Sequence, residues 1–367
     1  MLEFWAGIAG FSITAITIRL LNPLARPLHL LDVPGPRKHH AAPVPLTGGL
    51  AILVAFLATA ALFTLVRPLH FPEWPPYLLC VSLLAVVGIA DDAGAAIGPG
   101  VRTFLQMGIA TVAALTAHVI LIRLGDLWGD GPVTTGSFAI PFTVLSILGV
   151  TNSMNLIDGS DGLAGLVSLA ALFWIGLFAE ATGQVDIRAA VLILGGGLVA
   201  FLAHNLEYPK RRIRVFLGST GTTFLGFTLA WMLIHLSQSP KVALPPIVAV
   251  WIMGLPILDT VSVMLRRILR GRNPLHGGRD HLHHLLAQLG LGSRSIAFLE
   301  ATLALGFGSV GYLGWAFRTP VPLLTLGFVV LALVYFTGFV LLDRKLGWAE
   351  WPERMLFGKR ELEDENE

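Results

Sequence analysis

The sequence predicts an all-α, polytopic integral membrane fold, and three observations predict it. Hydrophobic residues make up 54% of the 367 residues and charged residues only 13%, against about 25% charged in a soluble domain. The mean hydropathy is +0.74. Apolar stretches of spanning length recur at 3–22, 46–66, 76–90, 104–123, 137–152, 162–180, 187–204, 222–238, 243–265, 298–316 and 322–342. A soluble protein with a large core does not produce segments of that length.

Taken in order, these stretches read as eleven transmembrane helices, of which 76–90 and 137–152 are short. The first is too long for a signal-peptide core and lacks a basic leader, so it reads as a retained span. Cys80 is the single cysteine and lies in the third stretch; it excludes an internal disulfide and a cysteine-based zinc or redox centre. The segment 124–136, with Gly125, Gly129, Gly131 and Pro132, reads as a turn-rich hairpin. The organisation is one helical domain over 1–345 and a charged cytoplasmic tail over 346–367. No inverted repeat of the transporter kind is visible.

Eleven spans put the termini on opposite sides, and Lys and Arg choose the sides. One set of loops holds nineteen of them and the other holds five. The N-terminus is therefore expected outside and the C-terminus in the cytoplasm.

On that topology the unusual side chains gather on the cytoplasmic face. The stretch Thr151-Asn-Ser-Met-Asn-Leu-Ile-Asp-Gly-Ser-Asp-Gly162 supplies Asn155, Asp158 and Asp161 at a membrane border, where acids are costly and default to function. Asp91 and Asp92 close the third stretch; Lys38, His39 and His40 lie in the first loop; Asn205 and the Gly218-Ser-Thr-Gly221 turn lie in the fourth; Arg279, His281, His283 and His284 lie in the fifth. Clustered carboxylates without cysteine suit Mg²⁺ or Mn²⁺. Arg and Lys neutralise phosphate, and a glycine turn feeding a helix start offers N–H groups to an anion. The combination describes metal-assisted phosphoryl transfer at a membrane surface.

Each motif also has a plainer reading. Asp91-Asp92 could end a helix, and Asp161 could cap the helix that starts near Gly162. Asp158 and Asp161, three apart, would share a face on a helix. His281 and His284 have helical zinc spacing, but the glutamate of H-E-x-x-H is missing, so imidazole contacts to phosphate or nucleotide are favoured. The run Arg266-Arg267-Ile-Leu-Arg270-Gly-Arg272 reads as an anionic-lipid or topology anchor. Asp259 reads as a helix-packing acid or a supporting one.

Four motifs in chain order resemble the bacterial polyprenyl-phosphate N-acetylhexosamine-1-phosphate transferases. They are Asp32-Val-Pro-Gly-Pro-Arg-Lys-His-His40 with Pro45-Leu-Thr-Gly-Gly49, Asp91-Asp92, Asn155-Leu-Ile-Asp-Gly-Ser-Asp-Gly162, and Arg279-Asp-His-Leu-His-His284. The histidine forms are similar to the WecA/TagO-like branch rather than to the phospho-MurNAc-pentapeptide transferases. The resemblance implies a Mg²⁺-dependent (or Mn²⁺-dependent) enzyme of the bacterial inner membrane with its active site facing the cytoplasm. It implies transfer of a sugar-1-phosphate, N-acetylglucosamine-1-phosphate first, from a UDP-sugar to undecaprenyl phosphate with release of UMP, priming surface polysaccharide synthesis. Membrane lipids are its surroundings, nucleic acid is not a partner, and a homodimer is compatible with it. By the same resemblance Asp91 or Asp92 is the catalytic base, Asp158 and Asp161 are further catalytic acids, and Asn155 and Asp92 contact the metal. Lys38, Asn205, Arg279, His281, His283 and His284 bind substrate.

One departure stands out. Val215-Phe-Leu-Gly-Ser-Thr-Gly-Thr222 puts Ser219 where the family usually has a metal-binding Asp, and a hydroxyl is a poor substitute on a divalent cation. A catalytically impaired lipid- or nucleotide-binding homologue is therefore the rival reading. A transporter, which would carry acids inside its spans and an internal repeat, is the third.

Overall fold

Lipid offers no hydrogen bonds to a backbone, so an apolar chain must satisfy its N–H and C=O groups within each segment. The computed structural model describes residues 2–34, 42–66, 74–95, 97–117, 119–206, 213–239, 244–274, 278 and 280–346. In chain order the helices are α1 Leu2–Leu21, α2 Gly48–Val66, α3 Trp74–Asp92, α4 Pro99–Thr116, α5 Ala139–Leu156, α6 Leu163–Ala181 and α7 Val185–Asn205. They continue as α8 Gly218–Gln238, α9 Pro246–Ile252, α10 Gly254–Leu269, α11 Leu282–Gln288, α12 Ser293–Ala316 and α13 Val321–Leu346. Two antiparallel strand pairs interrupt them: β1 (Leu31–Asp32) with β2 (Val44–Pro45), and β3 (Arg123–Gly125) with β4 (Val133–Thr134). The second pair is the glycine-rich hairpin expected at 124–136.

The apolar stretches coincide with helices, except that 104–123 runs beyond the end of α4 at Thr116 to β3, and the span count differs from the eleven expected. Among the described residues seven helices are long and apolar enough to cross a membrane, or eight if α9 and α10 count as one broken span. The stretch 243–265 is not continuous: α9 and α10 meet at an angle of 81°. Pro256 explains the break, because it lacks an N–H and its ring collides with the carbonyl four residues back, at Ile252 where α9 ends.

The helix α8 falls outside the seven for a different reason. It carries Thr220, Thr222, Thr223, Thr228 and Ser237, and every residue from Thr220 to Ile234 is buried. It is the axis of the bundle and faces protein rather than lipid, so it need not be strongly apolar. Small residues let its neighbours close in on it. A Cβ at Gly49 of α2 would lie 2.2 Å from the Gly221 Cα, and one at Gly88 of α3 would lie 2.5 Å from the Thr220 Cα.

In α10 the usual amphipathic order is reversed. Asp259, Ser262, Arg266 and Arg267 are buried, while Val261, Leu265, Ile268 and Leu269 are exposed. Arg266 and Arg267 are therefore not surface lipid anchors. The Arg266 guanidinium donates to the Asp280 carbonyl at 2.6 Å. Arg267 forms a two-point ion pair with the Asp280 carboxylate, its Nε donating at 2.9 Å.

Candidate active site

The C-terminal ends of α3, α5 and α7 and the N-terminal ends of α8 and α12 open on one cavity of about 960 Å³. Its wall includes Asp32, Asp91, Asp92, Asn155, Asp158, Asp161, Asn205, Arg214, Ser219, His283, His284 and Ser293. Residues from five separate inter-helix segments thus reach one end of the bundle. Lys38 and Arg279, with Arg37, His39 and His40, lie outside the described residues, as does the tail from 347 onward.

The two adjacent aspartates are held differently. Asp91 accepts from the Arg102 guanidinium of α4 at 3.0 Å. Asp92 reaches across to the start of α8: Oδ1 accepts the Ser219 N–H at 2.7 Å, and Oδ2 accepts the Thr220 N–H at 3.0 Å and its hydroxyl at 2.7 Å. Gly218 makes this approach possible. Its φ is +72°, and a Cβ there would stand 2.6 Å from the Asp92 carboxylate. The N–H groups expected to receive an external anion at this turn therefore receive the protein's own carboxylate, because the first-turn donors of a helix favour whichever negative charge is nearest.

The acidic segment after α5 is a turn rather than a continued helix, so Asp158 and Asp161 are not aligned by a helical face. Nor does Asp161 cap α6. Gly162 takes the N-cap position with φ +77° and no side-chain bond, while Asp161 forms an ion pair with Arg214. The Asp161 N–H donates to the Ser293 hydroxyl at 3.3 Å. Asn155 spends its amide N–H on the Thr222 hydroxyl of α8 at 2.8 Å, leaving its amide oxygen for the cavity it lines. Burial first, then the Asp161 and Asp92 carboxylates, push the Asp158 carboxyl up to about 7.

The segment before α8 is fixed by backbone pairing with the start of α2. Phe216 N–H donates to the Pro45 carbonyl at 2.8 Å, and the Gly48 and Gly49 N–H groups donate to Phe216 and Leu217 at 2.9 and 3.0 Å. Asn205 is buried, donates to the Val215 carbonyl at 2.8 Å, and leaves its own amide oxygen unpartnered. This clamp sets Arg214 facing Asp161.

The histidine motif divides in two. His283 and His284 line the cavity with their rings 4.1 Å apart. His283 packs onto the Gly159 backbone, where a Cβ would lie 2.2 Å from Nε2, and both its ring nitrogens are buried without a partner. Burial, with a smaller contribution from His284, lowers its pKa to about 3, so the ring is neutral. His281 is off the wall, buried against Asp259 of α10. Arg102, Arg214 and Thr220 entered the sequence reading only as basic-loop or turn residues. Their sole signal was position, Arg214 standing four residues before the Gly218 turn.

These residues fit a divalent cation held by few protein oxygens. Among the described residues no three His, Cys, Asp or Glu side chains form a ready cage. The Asn155 amide oxygen and the Asp92 and Asp161 carboxylates nevertheless line the same cavity as hard donors, and a cation among them would relieve the repulsion they exert on Asp158. Such a site is completed by the phosphates of a ligand.

The sequence pattern of glycosyl transferase family 4 matches residues 74–237, the stretch that runs from α3 through α8. The chain is 32% identical over 297 residues to the undecaprenyl-phosphate alpha-N-acetylglucosaminyl 1-phosphate transferase of Salmonella typhi, covering 81% of this chain and 79% of that protein. The chain belongs to glycosyl transferase family 4. Proteins of the same name match from Haemophilus influenzae, at 30% over 342 residues and 91% and 92% of the two chains. The match from Escherichia coli K12 is 29% over 307 residues, covering 83% and 82%. The family pattern takes in the cavity-lining residues from Asp91 to Ser219.

Proposed function

We propose that this protein transfers N-acetylglucosamine-1-phosphate from UDP-N-acetylglucosamine to undecaprenyl phosphate and releases UMP. The observation that carries the reading is the cavity at one end of an apolar bundle, where five carboxylates share the wall with Arg214, Asn205 and the imidazoles of His283 and His284. A lipid acceptor explains why the site is built into a membrane bundle, and a nucleotide diphosphate explains the mixture of acids and cations around it. The lysine and arginine excess in one set of loops supports a cytoplasmic orientation for this end, in a bacterial inner membrane.

In this reading a phosphate oxygen of the acceptor attacks the β-phosphorus of the donor. The new P–O bond forms as the bond from that phosphorus to the bridging oxygen breaks, and UMP carries away the electron pair. Asn155 and Asp92, with Ser219 at the usual carboxylate position, would hold Mg²⁺ or Mn²⁺; when bound, the cation would neutralise charge on the phosphates. Asp91 and Asp92 are engaged by Arg102 and by the start of α8, which leaves Asp158, titrating near neutrality, as the better-matched acceptor of the acceptor phosphate's proton. The Arg214–Asp161 pair sets the charge on the nucleotide side of the cavity, with His283 packed against the neighbouring Gly159 backbone and His284 beside it.

The test is UMP release by the detergent-purified full chain with undecaprenyl phosphate, Mg²⁺ and a panel of UDP-sugars. Turnover with UDP-N-acetylglucosamine, abolished by EDTA and by Asp158→Asn, is expected. Binding of UDP without turnover with any sugar would replace this reading with that of a nucleotide-binding homologue, which the Ser219 departure favours.

A further inference from the structure

The histidine helix α11 is too short to hold itself in place, and the structure fixes it from behind. It spans Leu282–Gln288, and its N-cap residue His281 makes no side-chain capping bond. An isolated helix of that length is not stable in water. Its first turn is secured instead by Asp259 of α10, a carboxylate only 2% exposed. Asp259 Oδ2 meets His281 Nδ1 at 2.6 Å, and Oδ1 accepts the Leu282 N–H at 2.9 Å and the Tyr335 hydroxyl of α13 at 3.2 Å.

We infer that Asp259 is a positioning residue for the cavity: it fixes the ring and backbone at the start of α11 and so sets His283 and His284 on the wall. Three observations converge on this. One carboxylate serves both a side chain and the backbone of the same turn, which fixes rotation as well as place. His281 then passes its orientation on, since its ring lies parallel to that of His283 at 7° and 5.8 Å. The preceding residue Asp280 is tied to the same helix by Arg266 and Arg267, so α10 grips the entry to α11 at three points. The polar face of α10, at 259, 262 and 266, turns inward for this purpose while its apolar face meets lipid.

An acid that orients a histidine affects binding or chemistry without touching the ligand. Asp259→Asn keeps the shape but supplies one acceptor oxygen where the carboxylate's two oxygens serve three partners. Asp259→Glu keeps both oxygens. The inference rests on the nucleotide-sugar reading of the cavity, so the primary measurement is equilibrium binding of UDP with Mg²⁺ by the purified full chain, with melting midpoints and, for the active enzyme, donor and acceptor KM.

The expected result is a UDP Kd raised by about 10- to 100-fold in Asp259→Asn. Acceptor KM should stay unchanged, and Asp259→Glu should recover most of the affinity. Unchanged UDP affinity in a folded Asp259→Asn would overturn the inference. So would parallel loss of donor affinity, acceptor affinity and melting midpoint in both variants, which would mean a general folding role. A wild type that binds UDP but transfers no sugar would sink the transfer reading alone, with the Kd comparison still deciding the role of Asp259. A wild type that binds no UDP would sink both.

Discussion

Asp92 and Ser219 are 127 residues apart in the chain, yet the Asp92 carboxylate accepts the Ser219 N–H at 2.7 Å and so caps the central helix of the bundle from outside it. One side chain therefore stands at the edge of the cavity and also completes the first turn of α8. The stability and the chemistry of this end of the molecule are consequently coupled.

Asp92→Asn should expose that coupling. Its amide offers one acceptor where the carboxylate serves three donors, so a helix cap is partly lost, a change that typically costs about 0.5–2 kcal/mol. The melting midpoint should fall by a few degrees while the protein stays folded. UMP release should fall far more than that loss of stability explains. Parallel thermal unfolding and turnover assays check it, and unchanged turnover in a destabilised protein would reduce Asp92 to a cap.

Ser219→Asp would put a second carboxylate beside one already satisfied by the helix start. Without a cation the two like charges should repel and lower the melting midpoint. With Mg²⁺ the added hard oxygen should strengthen the site. The prediction is a Mg²⁺ titration whose midpoint, read by UMP release and by thermal shift, moves to lower concentration than in the parent. A midpoint that does not move would mean that position 219 lies outside the cation's reach.

The sequence made the helices and the gathering of Asp91, Asp92, Asn155, Asp158 and Asp161 legible, because apolar length and costly acids at membrane borders are local signals. It did not reveal pairings between distant segments. Arg102 and Arg214 read as topology charges, since nothing local links them to Asp91 and Asp161. Arg266 and Arg267 looked like lipid anchors because a basic run at a helix end usually is one; their turn inward depends on Asp280, which lies 14 and 13 residues further along the chain. The break at Met253 was marked by Pro256, yet the hydropathy of 243–265 conceals it. The turn at 158–162 resembled a helix start because spacing alone does not separate a turn from a first helical turn.

Gly159→Ala tests the contact between the acidic turn and the histidine helix. The new methyl would fall 2.2 Å from His283 Nε2, and the buried ring has little room to retreat. A shift of about 1 Å in a positioned group can cost on the order of 100-fold in rate. Turnover and UDP affinity should both drop, and the melting midpoint should fall with them because the methyl overlaps a buried ring. Full activity in Gly159→Ala would mean that His283 can move without consequence.

The pH dependence should carry the signature of Asp158. Its carboxyl titrates near 7 in the fold and near 3.8 when unperturbed, so the folded state holds a proton that the unfolded chain has released. Between those two values the folded state binds more protons, and stability must fall as pH rises through the window, levelling off above about 7. Asp158→Asn, which stays neutral, should remove that slope and be the more stable protein at pH 8. A bound divalent cation should flatten the slope in the parent by favouring the ionised form. The same group should appear in activity as an acid limb of kcat/KM, displaced by bound Mg²⁺ to a lower pH than the metal-free titration near 7. Loss of a proton-accepting group typically costs about 100- to 10,000-fold in rate, so Asp158→Asn should fall by that order and lose the limb with it. Denaturant unfolding across pH 4–9 reads the first effect and UMP release the second. A slope that persists in Asp158→Asn would assign the titration to another cavity carboxylate.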